Sequence, residues 1–415
     1  MLLDKLRVLT GHSRKINWLW PLFITIAVLL IFIVRSWRDL PTEDMDRPGS
    51  WWVRVLLFSK IDSCQVETSA GFTVELLDGS KKAYSSGDKF QITLDANGFK
   101  VGTDIFPGGQ ILIRPGEPYI FTLDGMKFRG NLRLIAFEDG RFDAVNVVPM
   151  EAYLGGVIGA EMPRYWKAEA LKAQAIASRT YCLYYKNTYG ADRHYDIRRT
   201  QANQVYMGLA KEYNATRNAA HETRGQVLTS GKRVFPAYFG SSCGGHTDDS
   251  SEVFGKYFES VKGVDCPYCI DVARKSQFFW KPAEFTAAEL TRKLVERYEN
   301  IKPLGEIVGI EPRRRSDYGQ YSRWTSVKLI GATGKSITLR GEDFRLALDT
   351  TGLKIKSTIF ELAKVKDKWI FYGGRGFGHG VGLCQCGAEK MAKNGKNVTE
   401  ILKYYYPSVE ITKIY

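Results

Sequence analysis

A chain of 415 residues is long enough to bury more than one hydrophobic core, and no internal repeat or low-complexity tract stands out in it. Its 59 Lys+Arg against 45 Asp+Glu give a formal net charge of +14, which favours a polyanion or a membrane surface as partner. Nucleic acid is the usual polyanion for such a charge, and the N-terminus argues against it.

Residues 16–34 (INWLWPLFITIAVLLIFIV) are apolar except for Asn17. At about 1.5 Å per residue they reach roughly across a bilayer core. Trp18 and Trp20 sit where an interfacial belt would. Lys5, Arg7, Arg14 and Lys15 precede the run, so residues 1–15 are expected in the cytoplasm and the bulk of the chain outside it. No small-residue cleavage site follows, which favours an uncleaved single-pass anchor in the cytoplasmic membrane over a signal peptide. A basic domain tethered outside that membrane faces the cell wall, whose polymers carry carboxylates and phosphates.

Residues 35–50 read as a linker, ending in the polar PTEDMDRPGS. From 51 to 146 apolar runs are punctuated by Asp78-Gly79, Asn97-Gly98, Asp124-Gly125 and Asp139-Gly140, which predict a small antiparallel β-rich domain. A helical core is expected over 147–270. Met150, Tyr153, Leu154, Val157 and Ile158 recur at helical spacing after Pro149, Gly159 is placed to stop that helix, and Pro163 to open the next. Glu161 falls at the joint. The second helix is dense in alanine, so it is expected to pack on several faces. Lys172 and Arg179, seven residues apart, share one of them.

SSCGGHT at 241–247 and the Cys266-Pro-Tyr-Cys269 knuckle close this core. An α+β insertion is predicted over 271–372, with a Thr286/Glu289 capping pair before a short amphipathic helix. Arg313–Arg315 read as a solvated basic loop. GATGKS at 331–336 lacks the phosphate-loop spacing. Residues 373–415 carry a glycine-rich loop and final helices that complete the core. The loop spacing GRGFGHGVGLCQCGA does not match a dinucleotide fingerprint, so no organic cofactor is expected. His379 stands among Gly374, Gly376, Gly378, Gly380 and Gly382, where a substrate-contacting or acid-supporting role is favoured over a packed core histidine. The fold class is therefore α+β: a helical catalytic core with antiparallel β-domains, preceded by one transmembrane helix.

AEMP at 160–163, LKAQAIASRTY at 171–181, SSCGGHT and GFGHGVGLCQCGA at 376–388 together resemble the stage II sporulation protein D family. The resemblance covers the chain from about residue 145 to its end. It implies a lytic transglycosylase that cuts peptidoglycan glycan strands at muramyl–glucosaminyl bonds, leaving anhydromuramyl ends. A sister branch modulates cell-wall amidases, so a non-catalytic amidase activator is the alternative. One carboxylate suffices for the leading chemistry: it protonates the leaving oxygen, then accepts the proton of the muramyl C6 hydroxyl. Glu161 is the expected general acid and base, the alternative being a carboxylate that caps helix amides. Lys172, Arg179, His379 and Gln385 are expected to bind substrate.

In the family this loop commonly reads GHGVG followed by Ser-Gln-Tyr-Gly. Here the Ser and Tyr positions are Cys384 and Cys386. The resemblance brings the turn at Cys243 and the loop at Cys384 to one cleft. With the CxxC knuckle this implies a structural zinc held by Cys243, Cys266, Cys269 and Cys384, with His246 and Cys386 as substitutes. Disulfides, and a thiol oxidoreductase working through Cys266 and Cys269, remain open beside it.

Overall fold

The computed structural model describes residues 51–415 apart from Ser86 and Asp88. The expected anchor at 16–34 and its flanks, 1–15 and 35–50, lie outside the described residues. Among the described residues no helix is long and apolar enough to cross a membrane.

The fold is mixed α and β. A seven-stranded sheet contains Trp52–Ile61, Phe72–Glu75, Gln110–Pro115, Asn131–Ala136 and Phe142–Pro149, and a six-stranded antiparallel sheet contains Ser63–Thr68, Lys89–Asp95 and Ile120–Leu123. Alternate residues of both, such as Val53, Val55, Val74, Ile92, Phe121 and Leu132, enter one buried core. Each of the four Asp/Asn-Gly dipeptides turns one paired strand into the next, with its glycine at positive φ. Strand Phe142–Pro149 runs straight into the first helix, so the sheet holds that helix from its start.

Helix α1 (Met150–Glu161) packs on α2 (Ala168–Tyr189) and α3 (Asn214–Glu222). Between Ala170 and Leu183 every residue of α2 except Lys172 is buried. Alanine on several faces allows that, because each Cβ brings neighbouring backbone close without a long side chain between. The expected helix bounds shift here. Gly159 does not end α1. It is a packing position, where a Cβ would stand 1.9 Å from the Lys211 carbonyl oxygen. Pro163 does not open α2 but sits in a turn closed by Trp166 N–H on its carbonyl, and α2 starts five residues later.

A second hydrophobic core, from Trp280 to Phe371, is built by two three-stranded sheets with helices α4 (Ala287–Arg297) and α5 (Gly341–Leu348). Thr286 Oγ1 accepts the Glu289 N–H at the start of α4, and Leu290 and Leu294 turn inward. The chain then returns to the first core through the glycine-rich loop, α6 (Gln385–Lys393) and α7 (Val398–Tyr405). Both helices pack on α2.

Candidate active site

Glu161 is the last residue of α1, and the backbone turns extended at Met162. Its Oε1 accepts the Val205 N–H at 2.9 Å. It does not cap α2, whose first turn receives no side-chain cap. Gln385, the first residue of α6, donates to the Glu161 carboxylate. The same amide nitrogen donates to Gln174 Oε1 at 3.2 Å, and Gln174 Nε2 donates to Ser178 Oγ at 2.9 Å. This buried polar chain on α2 fixes Gln385 beneath the acid. Burial pushes the Glu161 carboxyl above the usual carboxylate range, against the smaller pull of the Val205 and Gln385 hydrogen bonds.

Glu161 opens into a cleft of about 440 Å³ lined also by Asn203, Gly240, Ser241, His379 and Gln385. A larger cavity of about 790 Å³, between α2 and the strand pair Gln226–Thr229 and Glu410–Lys413, holds neither histidine nor cysteine. His379 Nδ1 accepts the Val381 N–H at 3.0 Å, which leaves the proton on Nε2. Burial, with the nearby charges of Arg323 and Arg345, lowers this imidazole to about 4 against the pull of Glu342, so it is neutral near pH 7. The remaining N–H of neutral His379 is engaged by the Phe239 backbone carbonyl, so the ring is fixed on both sides at the edge of the cleft.

The second core contributes two residues that the sequence reading missed. Glu342 and Arg345, on α5, line the same cleft. Arg345 Nη2 and Nε donate to the two Glu342 oxygens at 2.5 and 3.0 Å. They stand more than 180 residues from Glu161, inside an ordinary helical pattern, so only the fold brings them there.

Two expected substrate ligands are elsewhere. Arg179 is fully buried, and its guanidinium is used up by Glu151, at 2.5 and 3.1 Å, and by the Gln226 and Ala220 carbonyls. It clamps α1 to α2 and to the end of α3 and does not face the cleft. Lys172 pairs with Glu222 at 2.7 Å and Glu169 at 3.0 Å and does not line the cleft either. The shared face of the two cations is real, but it points at helix neighbours. Arg179→Met is therefore expected to cost about 3–5 kcal/mol, because Glu151 stays buried without its partner. Denaturant unfolding checks this. A variant of native stability with weakened glycan binding would restore the substrate role.

The Sγ atoms of Cys243, Cys266, Cys269 and Cys384 all lie within 4.8 Å of one another, and all four residues are buried. Cys243 and Cys269 Sγ are 3.7 Å apart. Four thiolates set tetrahedrally at about 2.3 Å from a zinc ion stand about 3.8 Å apart, so the set fits that ion. Two sulfurs already receive hydrogen bonds as thiolates would: Cys384 from the Cys243 N–H at 3.3 Å, and Cys266 in contact with the Tyr405 hydroxyl at 3.1 Å. The cluster lowers the Cys269 thiol, which its three neighbours hydrogen-bond. His246 instead stacks on Tyr318, ring centroids 3.7 Å apart, and Cys386 lies outside the cluster. Arg323, fully buried, reaches from the second core to the Cys243 carbonyl and packs under Gly380, where any Cβ would meet its guanidinium.

The chain resembles known proteins in sequence. A family model described as Stage II sporulation protein matches residues 138–230, which span α1, α2 and α3, and a domain of unknown function, DUF8618, matches 263–382. The chain is 35% identical over 291 residues to an uncharacterized protein of Brachyspira hyodysenteriae, covering 70% of this chain and 74% of that one. It is 29% identical over 293 residues to the amidase enhancer of Bacillus subtilis, covering 62% of this chain and 40% of that protein. It is 32% identical over 284 residues to the stage II sporulation protein D of Bacillus subtilis, covering 65% of this chain and 76% of that one. With such an identity over most of that relative, and with the matched segment forming the helices that carry Glu161, the chain belongs to the stage II sporulation protein D family.

Proposed function

We propose that this protein is a membrane-anchored lytic transglycosylase that cuts peptidoglycan glycan strands, with Glu161 as acid and then base. Its family and the similarity to an amidase enhancer support a role at the cell wall. The observation that carries the finer reading is a carboxyl pushed up by burial at the floor of a cleft, oriented by Val205 and Gln385. A protonated Glu161 gives its proton to the glycosidic oxygen as the bond to the anomeric carbon breaks. The muramyl C6 hydroxyl closes on that carbon and returns its proton to Glu161, so the acid is regenerated and no water is consumed. Neutral His379, fixed by the Val381 N–H and the Phe239 backbone, forms part of the cleft wall against which the sugar would bind.

The apolar run at 16–34 places the catalytic part outside the cytoplasmic membrane in this reading. Cys243, Cys266, Cys269 and Cys384 would hold zinc in a structural site, since four protein thiolates leave no position open for water. Burial of Cys266 and Cys269, 1% and 0% exposed, removes the accessible thiolate that redox catalysis needs.

Full-length protein in detergent, given purified glycan strands, is expected to release products with anhydromuramyl ends, lighter by one water than hydrolytic products. Mass spectrometry decides. Reducing muramic acid ends would make it a hydrolase. Strands bound but left intact would favour the second reading, an activator of a cell-wall amidase, which the similarity to the amidase enhancer supports.

A further inference from the structure

We infer that Glu342 is a second working carboxylate of this cleft: a fixed anion, clamped by Arg345, that stabilises positive charge developing on the sugar ring without activating water. The inference rests on the glycan-cleaving reading. Glu161 and Glu342 are the two carboxylates among the described lining residues, and they come from different cores. The Glu342 and Arg345 side chains are 11% and 6% exposed, so their bond is shielded from water while Glu342 still borders the cleft. Arg345 is itself held, its Nη1 donating to the Ile355 carbonyl at 3.1 Å.

Breaking a glycosidic bond puts positive charge on the anomeric carbon and ring oxygen. A carboxylate preset to face that charge lowers the barrier without moving. Glu342 suits that task and no other. Both of its oxygens accept from the Arg345 fork, so it has little basicity left to deprotonate water or to attack carbon. Burial works to raise its carboxyl, and the Arg345 ion pair, with the charge of Arg323, outweighs it and holds it low. Glu161 is pushed the opposite way. Two carboxylates held apart in this manner divide into an acid and an ion. The proton balance is unchanged: Glu161 delivers one proton and recovers one from the C6 hydroxyl, the bond from C1 to the leaving oxygen breaks, and the C6 oxygen bonds to C1. Two carboxylates therefore coexist here with ring closure, where a freely basic second one would admit hydrolysis.

Glu342→Gln is expected to lower kcat about a hundredfold with KM little changed, products still ending in anhydromuramyl groups, and Glu342→Asp is expected to recover much of the loss. A folded Glu342→Gln protein within about threefold of wild-type kcat would overturn the inference. Should that variant not fold, Glu161→Gln protein provides the test, because Glu342 is then the remaining carboxylate of the lining. It is expected to bind a cationic iminosugar-capped glycan oligomer at least about tenfold more tightly than the neutral oligomer of the same length, and equal affinity would overturn the proposal. Retained cleavage in Glu161→Gln is a different result: it would sink the parent reading.

Discussion

Glu161→Gln is expected to reduce glycan cleavage by at least about a hundredfold, the usual scale for a lost general acid, or about 2.7 kcal/mol of barrier. Gln keeps the shape and one acceptor oxygen for the Val205 N–H, which Glu161 now receives at 2.9 Å. It has no proton to give to the leaving oxygen and cannot receive one from the C6 hydroxyl. Stability is expected to move the other way. A carboxyl raised by burial is held more easily as the acid in the folded chain, so its ionisation opposes folding as pH rises past the ordinary carboxylate range. An amide carries no such cost, so the variant is expected to melt no lower than wild type near pH 7. Loss of activity with an unchanged melting temperature separates catalysis from collapse. A folded variant retaining most activity would return Glu161 to a purely structural place at the end of α1.

The parts of this site that were legible in the sequence are those with strong local chemistry. Asp-Gly and Asn-Gly pairs specify hairpin turns because few other residues accept positive φ cheaply, and all four lie in turns. A lone acid at a helix joint, and four cysteines spread over three segments, carry side chains that an ordinary core does not want. Arg179 shows the opposite case. Helical spacing placed it correctly on one face with Lys172, but spacing does not say what that face meets, and it meets Glu151 and the end of α3. Glu342 and Arg345 were invisible for a related reason. On α5 they are three residues apart and read as an ordinary helical ion pair. Only the packing of the second core against the first turns that pair toward Glu161. The same packing gives Arg323, set beside a solvated-looking basic run, a fully buried place under the glycine-rich loop.

The largest stability effect is expected from the cysteine cluster. Purified protein is expected to carry about one zinc per chain, bound through Cys243, Cys266, Cys269 and Cys384. The cluster ties three separate segments: the turn at Cys243, the knuckle of Cys266 and Cys269, and the loop at Cys384. Cys384 immediately precedes Gln385, which holds Glu161. Structural zinc is worth about 10–16 kcal/mol in small peptides, comparable to the whole net stability of about 5–15 kcal/mol in a typical domain. Even a loss of about 4 kcal/mol would lower the melting temperature by roughly 5 °C for a unit of this size. Chelation is therefore expected to lower thermal stability before it changes the chemistry of whatever remains folded. Cys243→Ala and Cys266→Ala should do the same, whereas Cys64→Ala, buried in the β-domain away from the cluster, should cost only its own small cavity. Metal analysis together with melting curves of these three variants checks the assignment. A metal-free protein whose Cys266 is bridged to Cys269 would overturn the zinc assignment, because that disulfide closes the knuckle alone and joins no two of the segments, and then chelators would leave the melting temperature where it was.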